Sequence, residues 1–335
     1  MKAVLHTKYG PPELLELAEV EKPTPNENQI LVKVHASSIN AADYRVMKAD
    51  PFFIRLMGGG FRRPKDQRFG SDVAGQIEAV GENVKQFRPG DEVFGCAAGA
   101  YAEYVLAKEV NLALKPANRS FEEAAAVPVA ALTALQGIRY AGGIQPGQAV
   151  LIQGASGGVG TFAVQLAKAF GAEVTAVCSM RNLDMARSIG ADLVIDYTRE
   201  NFTRGPQRYD LILAANGYHP LSAYRRALKP RGVYVCAGGT MPQLFQAMLL
   251  GSWMSRDGDR KLGSMGEAKV TQEDLITLGE LLEAGKIVPV IDGSYPLSET
   301  PEAFRYVEEK HARGKVVITV ESQDKTRSPA ADASP

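Results

Sequence analysis

The chain has 335 residues, in which 38 Lys and Arg balance 38 Asp and Glu. A net charge of zero offers no field for nucleic acid or an anionic membrane and suits a small neutral substrate, while the length suits two domains rather than one core. The three cysteines, Cys96, Cys178 and Cys236, lie far apart and in odd number, which excludes a disulfide framework or a paired zinc knuckle and points to a reducing, cytoplasmic setting.

Residues 1–5 read directly into a strand with no signal-type segment before them, and no apolar run is long enough to span a bilayer. Up to about residue 115 the pattern is one of short strands, such as 29–35 and 71–80, broken by Gly and Pro turns including Arg88-Pro-Gly-Asp91. From residue 149 the rhythm changes. Apolar strands at 149–153, 173–178, 193–196, 209–214 and 232–237 alternate with helical stretches at 158–170, 180–189 and 220–228. Short, wholly apolar strands between amphipathic helices are what a parallel sheet covered on both faces requires, so this part is predicted to be a doubly wound α/β domain. Beyond it, 271–284 and 301–310 are predicted helices. Thr271 caps the first, with Asp274 near its start, and Thr300 caps the second, with Pro301 at its first position. Residues 315–320 form a closing strand, and the polar 321–335 segment is predicted to be disordered.

The sharpest local feature is Gln153-Gly-Ala-Ser-Gly-Gly-Val-Gly160, set between a predicted strand and helix. Glycine lets backbone approach a pyrophosphate, and the helix N-terminus supplies unpaired N–H groups to it. Ala155, Ser156, Gly157, Gly158 and Val159 are therefore candidate contacts to a dinucleotide, with Gly160 permitting tight helix–strand packing. About 20 residues on, where an NAD site carries Asp or Glu for the ribose 2′-hydroxyl, the chain reads Cys178-Ser-Met-Arg-Asn182. Ser179, Arg181, Asn182 and, after the third strand, Tyr197 are candidate contacts to a 2′-phosphate. A charge-assisted bond from Arg181 is worth about 1.5–3 kcal/mol, or a preference for NADPH of about 10- to 100-fold. The alternative is that Arg181 is only a solvated charge at a helix end.

Further motifs run through the chain in order: Gly10-Pro-Pro12, Ser37-Ser-Ile-Asn40, Gly70-Ser-Asp-Val-Ala-Gly75, Gly99-Ala-Tyr-Ala-Glu-Tyr104, Ala131-Leu-Thr133, Gly190-Ala-Asp192 and Ala312-Arg-Gly-Lys315. With these, the chain from Met1 to about Val320 resembles the zinc-independent medium-chain dehydrogenases/reductases, and the quinone oxidoreductases in particular. The resemblance implies a GroES-like, β-rich catalytic domain at 1–120 and 268–321, with a Rossmann NADP-binding domain at 121–267 inserted into it and a tail at 322–335. It implies that Thr133 meets the nicotinamide end, and that Asn216, Gly217, Gly238, Gly239 and Lys315 line the same groove. It also implies a homodimer paired through nucleotide-domain strands. The acidic residue usual after the fourth strand is replaced by Ala214-Ala-Asn-Gly217.

Zinc-dependent relatives hold the metal by three protein ligands. In this chain Asn40 stands for the first Cys, Gly70-Ser-Asp72 for the Gly-His-Glu turn, and the neighbourhood of Val129 and Ala130 for the last Cys, so no metal is expected. His6, His35, His219 and His311 are scattered and read as surface or packing residues. Without a Lewis acid the acceptors must be electrophilic in themselves, as quinones and α,β-unsaturated carbonyls are. For an enone the hydride reaches the β-carbon and the proton the α-carbon.

Asn40, Asp43 and Tyr44 are the candidate catalytic residues, Asn40 as a donor to a carbonyl and Tyr44 as an orienting group or acid. Equally, Asn40 and Asp43 cap the following helix while Tyr44 packs inside. The 51–61 segment, apolar and with three glycines, is either a lid or an ordinary loop. Residues 244–253 suit either a core helix or a subunit interface. Two other functions fit the motifs less closely: an enoyl-thioester reductase, and a cofactor-binding protein without turnover, RNA-binding included.

Overall fold

The computed structural model describes residues 1–50, 52–55, 60–65, 67–256, 258–309 and 312–320. His311, the 321–335 segment and part of the 51–61 segment lie outside the described residues.

Two sheets organise the chain. The first is a six-stranded parallel sheet in the order Leu193–Asp196, Glu173–Cys178, Ala149–Gln153, Tyr209–Ala214, Leu228–Cys236, Lys261–Ser264. Apart from residues at the strand ends, its inner strands are almost wholly buried, because helices cover both faces. The strand order reverses between Ala149–Gln153 and Tyr209–Ala214. Ligands bind such sheets in the crevice at that point, outside the carboxyl ends of the strands.

The second sheet is mainly antiparallel and has Gln29–Ser38 and Asp72–Val80 at its centre. The chain leaves it, builds the nucleotide-type sheet, and returns. Strand Lys315–Thr319 pairs antiparallel with Gln29–Ser38 and parallel with Ile291–Pro296, so the C-terminal segment completes a sheet begun by the first hundred residues. Ile30, Val32, Val34, Val73, Ile77, Tyr101 and Phe304 fill its core. A second core beneath the parallel sheet runs through Leu132, Leu135, Val150, Ile152, Phe162 and Leu213, so helix Pro128–Arg139 belongs to it.

Several local expectations are refined. The single helix predicted at 180–189 is a 3-10 turn, Met180–Asn182, followed by a short helix, Leu183–Ser188; the Asn182 N–H closes back on the Ser179 carbonyl at 2.9 Å. Thr271 does cap its helix, accepting the Asp274 N–H. Thr300 does not cap: it is the first helical residue, and its hydroxyl donates to the Leu297 carbonyl at 2.8 Å, within the preceding 3-10 turn. The fifth parallel strand begins at Leu228, earlier than predicted. The apolar 244–253 stretch lies in helix Met241–Met254, which leaves Phe245, Met248, Leu249, Leu250 and Trp253 exposed.

Candidate active site

The turn from Gly154 to Gly160 stands at the switch point of the parallel sheet. Gly154 and Ala155 donate their N–H groups to the Val177 carbonyl, both at 3.1 Å, which ties the turn to the neighbouring strand. Two positions require glycine. Gly154 has φ +81°, and a Cβ on Gly160 would lie 2.0 Å from the Gly154 oxygen. Helix Gly158–Ala169 starts immediately after, so the first N–H groups, from Gly158 and Val159 onward, have no helical acceptor and open outward. A Cβ on Gly157 would meet nothing closer than 3.7 Å, which leaves room for a bulky anion. The turn thus fits a dinucleotide pyrophosphate. Ser156 is held from outside: its carbonyl accepts the Gly314 N–H at 2.8 Å, joining the turn to the returning C-terminal strand.

At the end of the second parallel strand, Ser179 is partly exposed and Arg181 exposed on the 3-10 turn, while Asn182 is buried with its amide on the Ser179 hydroxyl at 3.2 Å. The nearby carboxylate of Asp196 is engaged by the N–H and hydroxyl of Thr198, at 3.0 and 2.8 Å, and lies below its ordinary pKa chiefly through the Thr198 N–H. Tyr197 is exposed and meets Tyr218 edge-on at 6.3 Å. These groups form a wall with hydroxyl and guanidinium donors and no free carboxylate on the turn itself.

At the other end of the groove, Thr133 on helix Pro128–Arg139 is partly exposed, with its hydroxyl donating to the Val129 carbonyl at 2.7 Å. Gly217 and Gly239 face each other in a bridge, and the Gly217 N–H donates to the Gly238 carbonyl at 3.1 Å. Asn216 is exposed beside them. Arg45, on helix Ala41–Lys48 of the other domain, reaches across and donates to the Gly239 carbonyl at 2.9 Å. That bond brings the two domains together over the groove.

Below Arg45 lies a buried polar cluster. Asp72 is fully buried and Lys315 is 2% exposed, with the ammonium 3.3 Å from Asp72 Oδ2. The other acceptors for the Lys315 ammonium are the Ile39 carbonyl at 3.0 Å and Asn40 Oδ1 at 2.6 Å. Asp72 Oδ2 also accepts the Ser38 hydroxyl at 2.5 Å and the Asn40 amide at 2.8 Å, and its Oδ1 accepts the Val129 N–H at 2.9 Å. The sequence placed Lys315 along the cofactor groove. In the structure its three ammonium hydrogens are spent on Ile39, Asn40 and Asp72 of the GroES-like domain, and only its stem approaches the turn, 3.0 Å from where a Gly158 Cβ would sit.

Asn40 and Asp43 serve the helix start, since Asp43 Oδ2 accepts the Asn40 N–H at 2.9 Å. Both Asn40 amide hydrogens are engaged, with Asp72 and, at 3.4 Å, with the Ser38 carbonyl. Asp43 Oδ2 also accepts the Tyr101 hydroxyl at 2.9 Å, and Oδ1 accepts the Ser71 hydroxyl at 3.1 Å. Burial pushes the Asp43 carboxyl up to about 6, helped by the neighbouring Asp72 charge and opposed by the Asn40 N–H, Tyr101 and Lys315. Tyr44 donates to Glu308 at 2.8 Å, and burial first among its causes raises its phenol. Asp72, Ser71, Tyr101 and Arg45 thus join the site beyond the residues chosen from sequence. Asp72 and Ser71 stood in the Gly70-Ser-Asp72 segment, which was read as a family motif and for its missing ligand but not as a source of site residues.

Residues 26–117 match the alcohol dehydrogenase GroES-like domain and residues 189–318 the zinc-binding dehydrogenase family. The 2-methylene-furan-3-one reductase of Solanum lycopersicum is 36% identical over 95% of this chain and 79% of its own length. The chain belongs to the medium-chain dehydrogenase/reductase superfamily, in its quinone oxidoreductase-like branch. It is an oxidoreductase. The quinone oxidoreductase of Coxiella burnetii superposes with a TM-score of 0.85 at 30% identity, covering 96% of this chain and 99% of that one. The Escherichia coli quinone oxidoreductase, solved with NADPH, superposes at 0.80 and 25% identity over 95% of this chain and 100% of that one. Among the described residues no three His, Cys, Asp or Glu side chains converge as a metal site.

Removing one partner of a buried ion pair leaves an uncompensated charge. Lys315→Met is expected to lower the unfolding free energy by about 3–5 kcal/mol, read by denaturant titration. A loss below about 1 kcal/mol, the range of a solvated pair, would show that Asp72 and Lys315 are not coupled as described.

Proposed function

We propose that this member of the superfamily is an NADPH-dependent, metal-independent reductase of quinones and α,β-unsaturated carbonyls. The observation that carries the reading is the buried donor set beside the groove: an ammonium, a carboxylate, an amide and a hydroxyl, already satisfied by one another, at residues that the family resemblance sets against the zinc ligands of relatives. Such a site has no Lewis acid of its own to activate a simple alcohol or ketone, so it suits acceptors that are already electron-poor. The relatives named for a furanone reductase and for quinone oxidoreductases support the same class.

When bound, NADPH supplies a hydride from its nicotinamide ring. The chain's own groups do the rest. The amides of Gly158 and Val159, with Ala155, Ser156 and Gly157 forming the wall, hold the pyrophosphate; Ser179 and Arg181, with Asn182 bracing the turn, take the 2′-phosphate, and Tyr197 covers the adenosine side. Thr133, Asn216, Gly217, Gly238 and Gly239 border the nicotinamide end. Asn40, Asp43 and Tyr44 lie at the acceptor's side, and the Arg45 bond to Gly239 closes the cleft and limits water, which strengthens every dipole inside.

The three thiols are free and buried, which suits a reducing compartment such as the cytoplasm. No helix among the described residues is long and apolar enough to cross a membrane. We assign the exposed face of helix Met241–Met254, with the neighbouring edge strand Lys261–Ser264, to a homodimer contact. Sedimentation should give twice the chain mass, and Trp253→Glu should move it toward the single-chain value. A wild-type protein sedimenting as one chain rejects the contact.

The reductase reading is tested by following NADPH oxidation with a panel of quinones, enones, enoyl thioesters, ketones and alcohols. Quinones or enones are expected to be preferred, and a simple alcohol or ketone as the best substrate would reverse the reading. Arg181→Ala is expected to cut the preference for NADPH over NADH by about 10- to 100-fold, and an unchanged ratio removes Arg181 from the phosphate site.

A further inference from the structure

A carbonyl that receives hydride must also receive a proton, and most hydroxyls and carboxyls near this groove are already committed. The Tyr44 hydroxyl is bound to Glu308, and Lys48 joins the same carboxylate. Tyr101 is buried, its phenol held well above the ordinary range by burial and by Asp43. The Asn40 amide hydrogens are engaged. Ser71 combines exposure with a carboxyl partner: it is partly exposed, lies immediately before strand Asp72–Val80, and its hydroxyl donates to Asp43 Oδ1 at 3.1 Å. Its neighbour Asp72 accepts the N–H of Val129, one turn before Thr133, and meets Lys315, whose stem nears Gly158, so Ser71 lies beside elements that border the groove.

We propose that Ser71 is the catalytic residue that protonates the acceptor's oxygen, with Asp43 behind it as the proton store. The inference deepens the reductase reading and rests on it. In the step, hydride adds to the electrophilic carbon of the acceptor and its carbonyl π electrons move onto oxygen. The Ser71 O–H bond breaks as the new O–H bond forms, and the Asp43 carboxyl proton passes to Ser71 Oγ. An enone gives an enol, which tautomerises in water to the saturated ketone; a quinone gives the keto tautomer of the hydroquinone, which enolises in water. The Asp43 carboxylate left behind recovers its proton from water through the same serine. The charged and titratable groups facing Asp43 are Asp72 and Cys96 from neighbouring strands, Tyr101 from the adjoining loop, and Lys315 from the C-terminal strand. Their balance, with burial foremost, places the carboxyl at about 6, where a group releases and regains protons readily near neutral pH.

The sign of the pH dependence follows, because the store must be protonated to act. Turnover of an α,β-unsaturated ketone at saturating NADPH is expected to be highest on the acid side and to fall as pH rises through the Asp43 value. Ser71→Ala is expected to lower kcat by about 100-fold and to abolish that limb, while NADPH affinity by fluorescence titration stays within about twofold. Ser71→Thr, which restores a hydroxyl, should recover both the rate and the limb. Independently of turnover, the carboxyl stretch of Asp43, isolated as the infrared difference between cofactor-free wild type and Asp43→Asn, should titrate near the same pH. The relay is overturned by a Ser71→Ala enzyme with wild-type kcat and pH profile, by a Thr variant no better than Ala, or by a carboxyl band that titrates in the ordinary Asp range. A wild-type chain that turns over no acceptor sinks the reductase reading and the relay with it; turnover with an unchanged Ser71→Ala profile sinks the relay alone.

Discussion

Asp72 and Lys315 meet in the interior across 243 residues of sequence, and the geometry of the site depends on that meeting. Desolvating two opposite charges costs several kcal/mol per ion, which is offset only where each lone pair and each hydrogen finds a partner. Here they do: the carboxylate takes a serine, an amide, an ammonium and the Val129 N–H, and the ammonium takes a carbonyl, an amide oxygen and the carboxylate. Because those partners come from different elements, the pair fixes the start of helix Pro128–Arg139 and the end of Gln29–Ser38 relative to the returning strand. Gly314, next to Lys315, then holds Ser156, so the same strand sets the height of the glycine-rich turn.

The pair also decides what chemistry is open to the scaffold. A satisfied ammonium orients its neighbours but offers no vacant coordination position to a substrate oxygen, unlike a three-ligand metal. Activation must then come from the acceptor's own electron demand and from hydrogen bonds held in a closed cleft. Arg45, spanning from helix Ala41–Lys48 to Gly239, links that closure to the glycine-lined groove.

How far all this was legible in the sequence follows from the range of the forces concerned. Strands Ala149–Gln153, Glu173–Cys178 and Tyr209–Ala214 stand where their apolar runs put them, because a strand buried on both faces can carry little else. The Gly154–Gly160 turn was equally plain, Gly154 and Gly160 being demanded by local backbone. The partners of the Lys315 ammonium were not legible, because nothing local distinguishes a lysine aimed at a phosphate from one aimed at a carboxylate far away in the chain. Asn40 and Asp43 were left between capping and catalysis. The structure places them in the cap and, through Asp72 and Ser71, in the buried cluster as well. Thr300 was misassigned because a hydroxyl one position inside a helix reads like a cap until the preceding 3-10 turn is seen to take its proton.

The most direct test of this account is elemental analysis of purified, active protein, run alongside turnover of a preferred acceptor before and after a strong chelator. Full activity with far less than one zinc or other transition metal per chain, unchanged by chelation, is what a site governed by an ammonium and a carboxylate predicts. One tightly held metal per chain, whose removal abolishes turnover and whose return restores it, would contradict the account at its centre.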